Sequence, residues 1–241
     1  VALTVALQTQ RLSRDLDVFH DTTEAVGRSW DRDRELLIAA GYGLSVVRER
    51  PGYIEGVISR GDRSLRIEWA RDSAFRFFPL VEHAELGLIL HPFDLATNKV
   101  LALIGRVEAR DWVDVLSCDE RLQPLGYLAW AAAGKDPGFT PRGILEEAQR
   151  TSRYSAEELA ALAFDGPPPD ASALASRWRG VLAQAKEIVA RLPPTVVGQA
   201  VLTSEGQLFT GDALALDRAQ QASRVVFHTG RIGGALPRIV G

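Results

Sequence analysis

Apolar and polar residues alternate over Asp15 to His20. Leu16 and Val18 fall on one side, Asp15 and Asp17 on the other, the period-two pattern of a half-buried strand. Before it, Ala2 to Gln8 reads as a short helix. After it, Thr22 and Thr23 offer an N-cap, and Val26, Trp30, Leu36 and Leu37 give Glu24 to Ala40 helical spacing, with Gly41 as the C-terminal cap. Three short strands follow over Leu44 to Arg48, Tyr53 to Ser59 and Ser64 to Trp69. Gly52 and the Gly61-Asp62 pair mark the turns between them. A helix–strand–helix unit running into a strand meander predicts an α+β or mixed-sheet domain up to about Pro92.

Beyond Pro92 the pattern turns helical. Asp94 to Arg106, Ala109 to Ser117, Leu125 to Ala133 and Gly143 to Thr151 each have helical spacing, and Ser155 followed by Glu157-Glu158 starts another helix. Gly166-Pro167-Pro168-Pro169 reads as a stiff linker. Ser172 to Arg191 is a long amphipathic helix stopped by Pro193-Pro194. Gln199 to Thr203 and Gln207 to Thr210 predict a hairpin across Ser204-Glu205-Gly206, and the pattern assigns no element over residues 212–241. The expected organisation is an α/β core over 1–92, a helical domain over 93–194 and a C-terminal hairpin or tail over 195–241.

The strand pattern gives the acids their interest. Side chains two apart on a strand share a face, roughly 6.5–7 Å apart along it. Asp15 and Asp17 can then reach a pair of divalent cations about 3.5–4 Å apart, the arrangement used for in-line phosphoryl or nucleotidyl transfer. A D-x-D pair alone is more readily a solvated strand end, and the flanking Ser13-Arg14 and Val18-Phe19 are what raise the functional reading. Glu68, sharing a strand face with Arg66 opposite Leu65, Ile67 and Trp69, would supply a third carboxylate from a neighbouring strand. In the later helices, Lys99 sits beside an apolar run, either snorkelling or aimed at a triphosphate. Asp111 and Asp114 stand three apart on one helix face. Asp111 either caps the helix start or reaches in to orient Lys99 or accept a proton. His20 follows the strand and could line the same site.

Composition narrows the classes. The chain has 241 residues, 46% hydrophobic and 24% charged, with no apolar run long enough to span a bilayer. The formal net charge is −3, with 25 Arg against 3 Lys, so there is no overall basic signature for nucleic acid. Arg60, Arg63, Arg66, Arg71 and Arg76 cluster along the meander as either a solvated face or a phosphate-contacting patch, diluted by Asp62, Glu68 and Asp72. The one cysteine, Cys118, excludes an intrachain disulfide framework and fits a reducing, cytoplasmic setting. His83, His91 and His228 have no zinc-ligand spacing with it. Neither a P-loop nor a G-x-S-x-G elbow is present.

Three segments, in order and spacing, carry a family resemblance. They are Arg11-Leu12-Ser13-Arg14-Asp15-Leu16-Asp17-Val18-Phe19, Asp94-Leu95-Ala96-Thr97-Asn98-Lys99-Val100-Leu101-Ala102-Leu103, and Glu108-Ala109-Arg110-Asp111-Trp112-Val113-Asp114-Val115. Together they resemble the AbiEii/AbiGii nucleotidyltransferases, the toxins of type IV toxin–antitoxin and abortive-infection systems. The resemblance covers roughly residues 1–117. It implies an α+β, polymerase-β-like nucleotidyltransferase domain, a small mixed sheet with flanking helices, followed by a mostly helical C-terminal domain. By the same resemblance, Asp15 and Asp17, with Glu68, would bind two Mg²⁺ ions. Ser13 and Lys99 would contact the phosphates of an NTP substrate, and Asp111 would be the remaining active-site acid. The family's Gly-Gly or Gly-Ser phosphate element would stand before Val1. The implied acceptor is RNA, the 3′ end of tRNA, with a cognate antitoxin as partner and no membrane association. A small-molecule or protein-hydroxyl acceptor, and a catalytically degenerate binding module, stay open as alternatives.

Overall fold

The computed structural model describes residues 1–13, 15–151 and 154–238. Arg14 of the first motif and residues 239–241 of the C-terminal segment lie outside the described residues. The chain forms two compact units. One comprises Ser13–Ala74 with Val1; the other comprises Ala2–Leu12 and Phe75–Gly241.

The first unit is built on a four-stranded sheet. Its strands are β1 (Asp15–His20), β2 (Gly43–Arg50), β3 (Tyr53–Arg60) and β4 (Arg63–Arg71), in the order β1-β4-β3-β2. β1 runs parallel to β4, while β4, β3 and β2 form an antiparallel meander. Both meander turns have two residues. Pro51-Gly52 joins Arg50 to Tyr53 across the strands, and Gly61-Asp62 joins Arg60 to Arg63. Gly52 and Gly61 take the positive φ that these tight turns need, +74° and +62°.

The helix α2 (Thr23–Ala39) starts where the Thr22 hydroxyl accepts from the Ala25 amide, one residue earlier than the pattern predicts. Its Val26 and Trp30 bury against Ile54, Ile58, Ile67 and Trp69 of the sheet. Trp30 and Trp69 meet edge to face at 4.8 Å, and the Trp69 indole N–H donates to Asp33 at 2.8 Å. Leu16 and Val18 pack on this cluster, which leaves Asp15 and Asp17 on the opposite face, as their alternation predicts.

The second unit is mostly helical. It contains α1 (Ala2–Leu7), α3 (Pro92–Arg106), α4 (Ala109–Arg121), α5 (Leu125–Ala132), α6 (Pro141–Thr151), α7 (Ala156–Ala160), α8 (Ala171–Arg191) and α9 (Ala213–Gln221). Three small strand pairs complete it: β5 (Phe75–Arg76) with β10 (Arg231–Ile232), β6 (Val81–His83) with β7 (Gly87–Ile89), and β8 (Gln199–Thr203) with β9 (Val225–Thr229). α5 is buried along its whole length, the centre around which the others pack. Ser155 and Glu158 make the reciprocal capping box that the sequence suggests for α7.

Two sequence expectations need correction. The units part at Ala74–Phe75, well before residue 92. Asp94, fully buried at the start of α3, accepts from the Phe77 and Phe78 amides at 2.9 and 3.1 Å and pairs with Lys135 at 2.8 Å, tying residues 77–78 into the helical unit. The predicted hairpin is only partly formed. Thr203 and Gln207 close the turn, Leu202 bridges Leu208 and the Phe209 amide donates to the Val201 carbonyl, but the extended strand partner of β8 is Val225–Thr229, after α9. Residues 195–238 are accordingly no tail: Ala200, Val201, Leu202 and Leu216 are fully buried. Gln123 fixes this segment through Val201 and Phe209 carbonyls, and Tyr127 through that of Gly211.

Candidate active site

The register of the sheet sets the first group of residues. Asp17 on β1 stands directly across from Glu68 on β4, and Glu68 directly across from Glu55 on β3. Paired positions share a face, so three carboxylates lie in one row across three strands. Arg48 on β2 ends the row, opposite Glu55, just past a bulge at Val46–Arg48. One row back, Asp15 faces Arg66. Phe19, Ala70 and Tyr53 form the row ahead. Ser13 precedes β1, and its hydroxyl donates to the Asp15 carbonyl at 3.2 Å.

The acids differ in environment. Asp17 is exposed, Glu68 half-buried and Glu55 buried. Glu55 is compensated by the Arg66 guanidinium at 3.2 Å and by the Tyr53 hydroxyl, which donates to it at 3.3 Å. Glu68 is held above the ordinary carboxylate range by burial first and by the Asp17 charge second, against a lowering influence of the nearby Tyr53 hydroxyl. Burial beside Glu68 and Glu55 pushes the Tyr53 phenol up to about 12, so it stays a donor at neutral pH.

This donor set fits a hard divalent cation. The Asp17 charge raises the cost of ionising Glu68 on the adjacent strand, and a cation held there would relieve it. Among the described residues, no three His, Cys, Asp or Glu side chains converge as a preformed metal cluster. Mg²⁺ characteristically takes only one or two carboxylates, with water and substrate phosphates filling its octahedron.

The second group lies in the helical unit. Asp111 and Asp114, three apart in α4, are both buried on one face. The Lys99 ammonium bridges them at 2.8 and 3.2 Å. Arg106 grips Asp111 through two hydrogen bonds of 2.7 and 3.0 Å, and Arg11 grips Asp114 through two of 2.6 and 2.9 Å. Burial alone would raise the Asp111 carboxyl. The Arg106 hydrogen bonds and the Lys99 charge outweigh it and hold the group below the ordinary range. Lys99 is therefore an oriented cation in an ion network, not a snorkelling side chain. Its partner Asp111 is committed to cations, not to capping α4.

Sequence reasoning missed Glu55, Tyr53, Asp94 and Arg11. His20 is corrected in the other direction. It shares the parity of Leu16 and Val18 on β1 and so lies on the face away from the acids. The meander arginines divide as well. Arg66 joins the acid face, while Arg60 and Arg63 oppose each other on the helix-bearing face at the hairpin end.

No family model matches the chain, and no curated protein matches it. Two solved structures resemble it. One is a candidate nucleotidyltransferase from H. pylori, at 14% identity and a TM-score of 0.45, covering 80% of this chain and 86% of that one. The other is MenT4, a nucleotidyltransferase toxin from Mycobacterium tuberculosis, at 15% identity and a TM-score of 0.47, covering 79% of this chain and 75% of that one. Both neighbours are nucleotidyltransferases by description, but neither likeness is close enough to assign an activity to this chain.

Proposed function

We propose that this chain is an Mg²⁺-dependent nucleotidyltransferase that transfers NMP from an NTP to an acceptor hydroxyl and releases pyrophosphate. The observation that carries the reading is the pairing of Asp17 with Glu68 across β1 and β4, with Asp15 on the same open face. Surface acids without a ligand would be expected to alternate with cations. Here the like charges stand directly opposite, an arrangement that costs stability and is found where a cation is to be held.

In this reading Asp15, Asp17 and Glu68 hold the metal. The chemistry that a pair of Mg²⁺ ions supplies in such a site is a lowered pKa for the attacking hydroxyl and neutralisation of charge on the leaving oxygens. The three-motif resemblance gives Lys99 and Ser13 the role of contacting the nucleotide phosphates. Asp111 acts by orienting Lys99. Its lowered pKa and two cation partners make it a poor proton acceptor, which favours the orienting role over general-base work. Lys99 then presents a fixed charge rather than a mobile one, the preorganisation that stabilises a transferring phosphoryl group.

We take the acceptor to be RNA, the 3′ end of tRNA, and the physiological role to be that of a toxin restrained by a cognate antitoxin in the cytoplasm. This rests on the three-motif resemblance. The helices offer no membrane route: among the described residues none is long and apolar enough to cross a bilayer. The test is transfer of label from α-labelled NTPs to total tRNA in the presence of Mg²⁺.

A further inference from the structure

Arg11 is buried in the helical unit and has no role in the proposed reaction. All three of its side-chain nitrogens are engaged. Nε and one terminal nitrogen hold the two Asp114 oxygens at 2.6 and 2.9 Å, and the other terminal nitrogen donates to the Leu12 carbonyl at 3.2 Å. Arg106 holds both Asp111 oxygens in the same side-on way. Each acid therefore has an arginine of its own, and Lys99 is a third cation shared between the two carboxylates, at 2.8 and 3.2 Å. Glu108, at the start of α4, has its own partner in Arg110. The layering matters as much as the charge. The Asp111, Asp114 and Arg11 side chains are sealed from solvent, while 22% of the Lys99 side chain and 46% of the Arg106 side chain are accessible. The network turns cations outward and keeps its acids beneath them.

We propose that Arg11 is a positioning residue for a polyphosphate anion: it matches the Asp114 charge and so leaves the Lys99 charge to the anion. Lys99 between two unmatched carboxylates would belong to a net negative group that repels phosphate. With an arginine on each acid, the same contacts carry a surplus positive charge, and Lys99 is the cation that no acid claims alone. An ammonium has three donors, of which the two acids occupy two at most. Arginine suits the buried position, because its planar fork grips a carboxylate through two bonds and its charge is never lost. Arg11 touches no ligand; it acts through Asp114 on Lys99. This inference rests on the reading of Lys99 as a phosphate contact and goes beyond it in naming the residue that sets the sign of the charge there.

The test is calorimetric titration of inorganic triphosphate into the full chain without divalent cations, so that no metal at the sheet acids carries the anion. Wild type, Lys99→Met, Arg11→Gln and the double substitution Arg11→Gln with Asp114→Asn are compared, with unfolding midpoints recorded for each. The expected result is binding that Lys99→Met abolishes and that Arg11→Gln weakens by about 10-fold or more, the effect of removing a unit charge several Å away in a poorly screened site. The double substitution removes one charge of each sign and restores most of the lost affinity. An Arg11 that serves the fold alone would lower the unfolding midpoint of Arg11→Gln and leave its triphosphate affinity at the wild-type value, which overturns the proposal. Should Arg11→Gln fail to fold, the double substitution decides, since it leaves no buried charge without a partner. A folded double variant that binds as poorly as Lys99→Met overturns the proposal, and so does wild-type binding that is absent or indifferent to Lys99. Label transfer to tRNA, run on the same wild-type protein, separates the two ideas. Arg11-dependent triphosphate binding without transfer leaves the positioning role standing and removes the transferase reading.

Discussion

Asp17 and Glu68 face each other across a parallel strand pair, and the charge of Asp17 helps keep Glu68 harder to ionise than an ordinary glutamate. A group whose folded-state pKa is raised favours folding as it becomes protonated and opposes it once ionised. Stability of the sheet unit is therefore expected to be greater below the folded pKa of Glu68 and to fall as the pH rises through it. Glu68→Gln removes the penalty, so thermal unfolding at pH 7 should show a higher midpoint for the variant, together with loss of Mn²⁺ binding. A lower midpoint would mean that Glu68 serves the fold.

The ion network of the helical unit makes the opposite prediction. Arg106 and Lys99 depress the Asp111 carboxyl, so its contribution is fully present above the ordinary carboxylate range and is lost as the pH falls through the depressed value. Acid titration should show cooperative loss of helical signal below about pH 4. Asp111→Asn should flatten that limb of the profile.

Asp114 carries the other half of the network. Replacing it with Ala leaves Arg11 buried and unpaired and Lys99 with one partner fewer. Breaking a buried pair in this way costs about 3–5 kcal/mol. Denaturant unfolding of Asp114→Ala should report a loss of that order, with Lys99→Met less damaging because the acids keep both arginines.

Gly134 and Gly198 approach each other so closely that a Cβ on Gly134 would lie 2.3 Å from the Gly198 carbonyl oxygen. Gly134→Ala should destabilise the helical unit by about 1–3 kcal/mol through displaced backbone. The measurement is the shift in denaturation midpoint. No shift would mean that the loop before β8 yields freely.

These residues also mark how far the sequence could be read. Alternation over Asp15–His20 was enough to put Leu16 and Val18 in the core and both aspartates opposite, because a strand's period follows from backbone geometry alone. Glu55 was within reach too. A two-residue turn at Gly61-Asp62 pairs Arg60 with Arg63 and, counting outward, Glu55 with Glu68, so the acid row follows once the turn length is trusted. Arg11 was not legible: its partner Asp114 lies 103 residues away, and nothing local distinguishes this arginine from the other 24. The β8–β9 pairing was missed because α9 stands between its strands, while Gln207–Thr210 offered a shorter connection that pairs with β8 only briefly, through Leu208 and Phe209. Asp94 looked like an ordinary acid in a first helical turn. Its burial under Phe77 and Phe78 is a tertiary fact with no sequence period.

The most direct test of the central claim uses wild type beside Asp17→Ala, incubated with Mg²⁺, total tRNA and each α-labelled NTP in turn. The account predicts label on tRNA with the wild type, a preference among the four nucleotides, and none with Asp17→Ala although its unfolding midpoint is not lowered. Equal labelling by both proteins, or none by the wild type under any NTP, would contradict it.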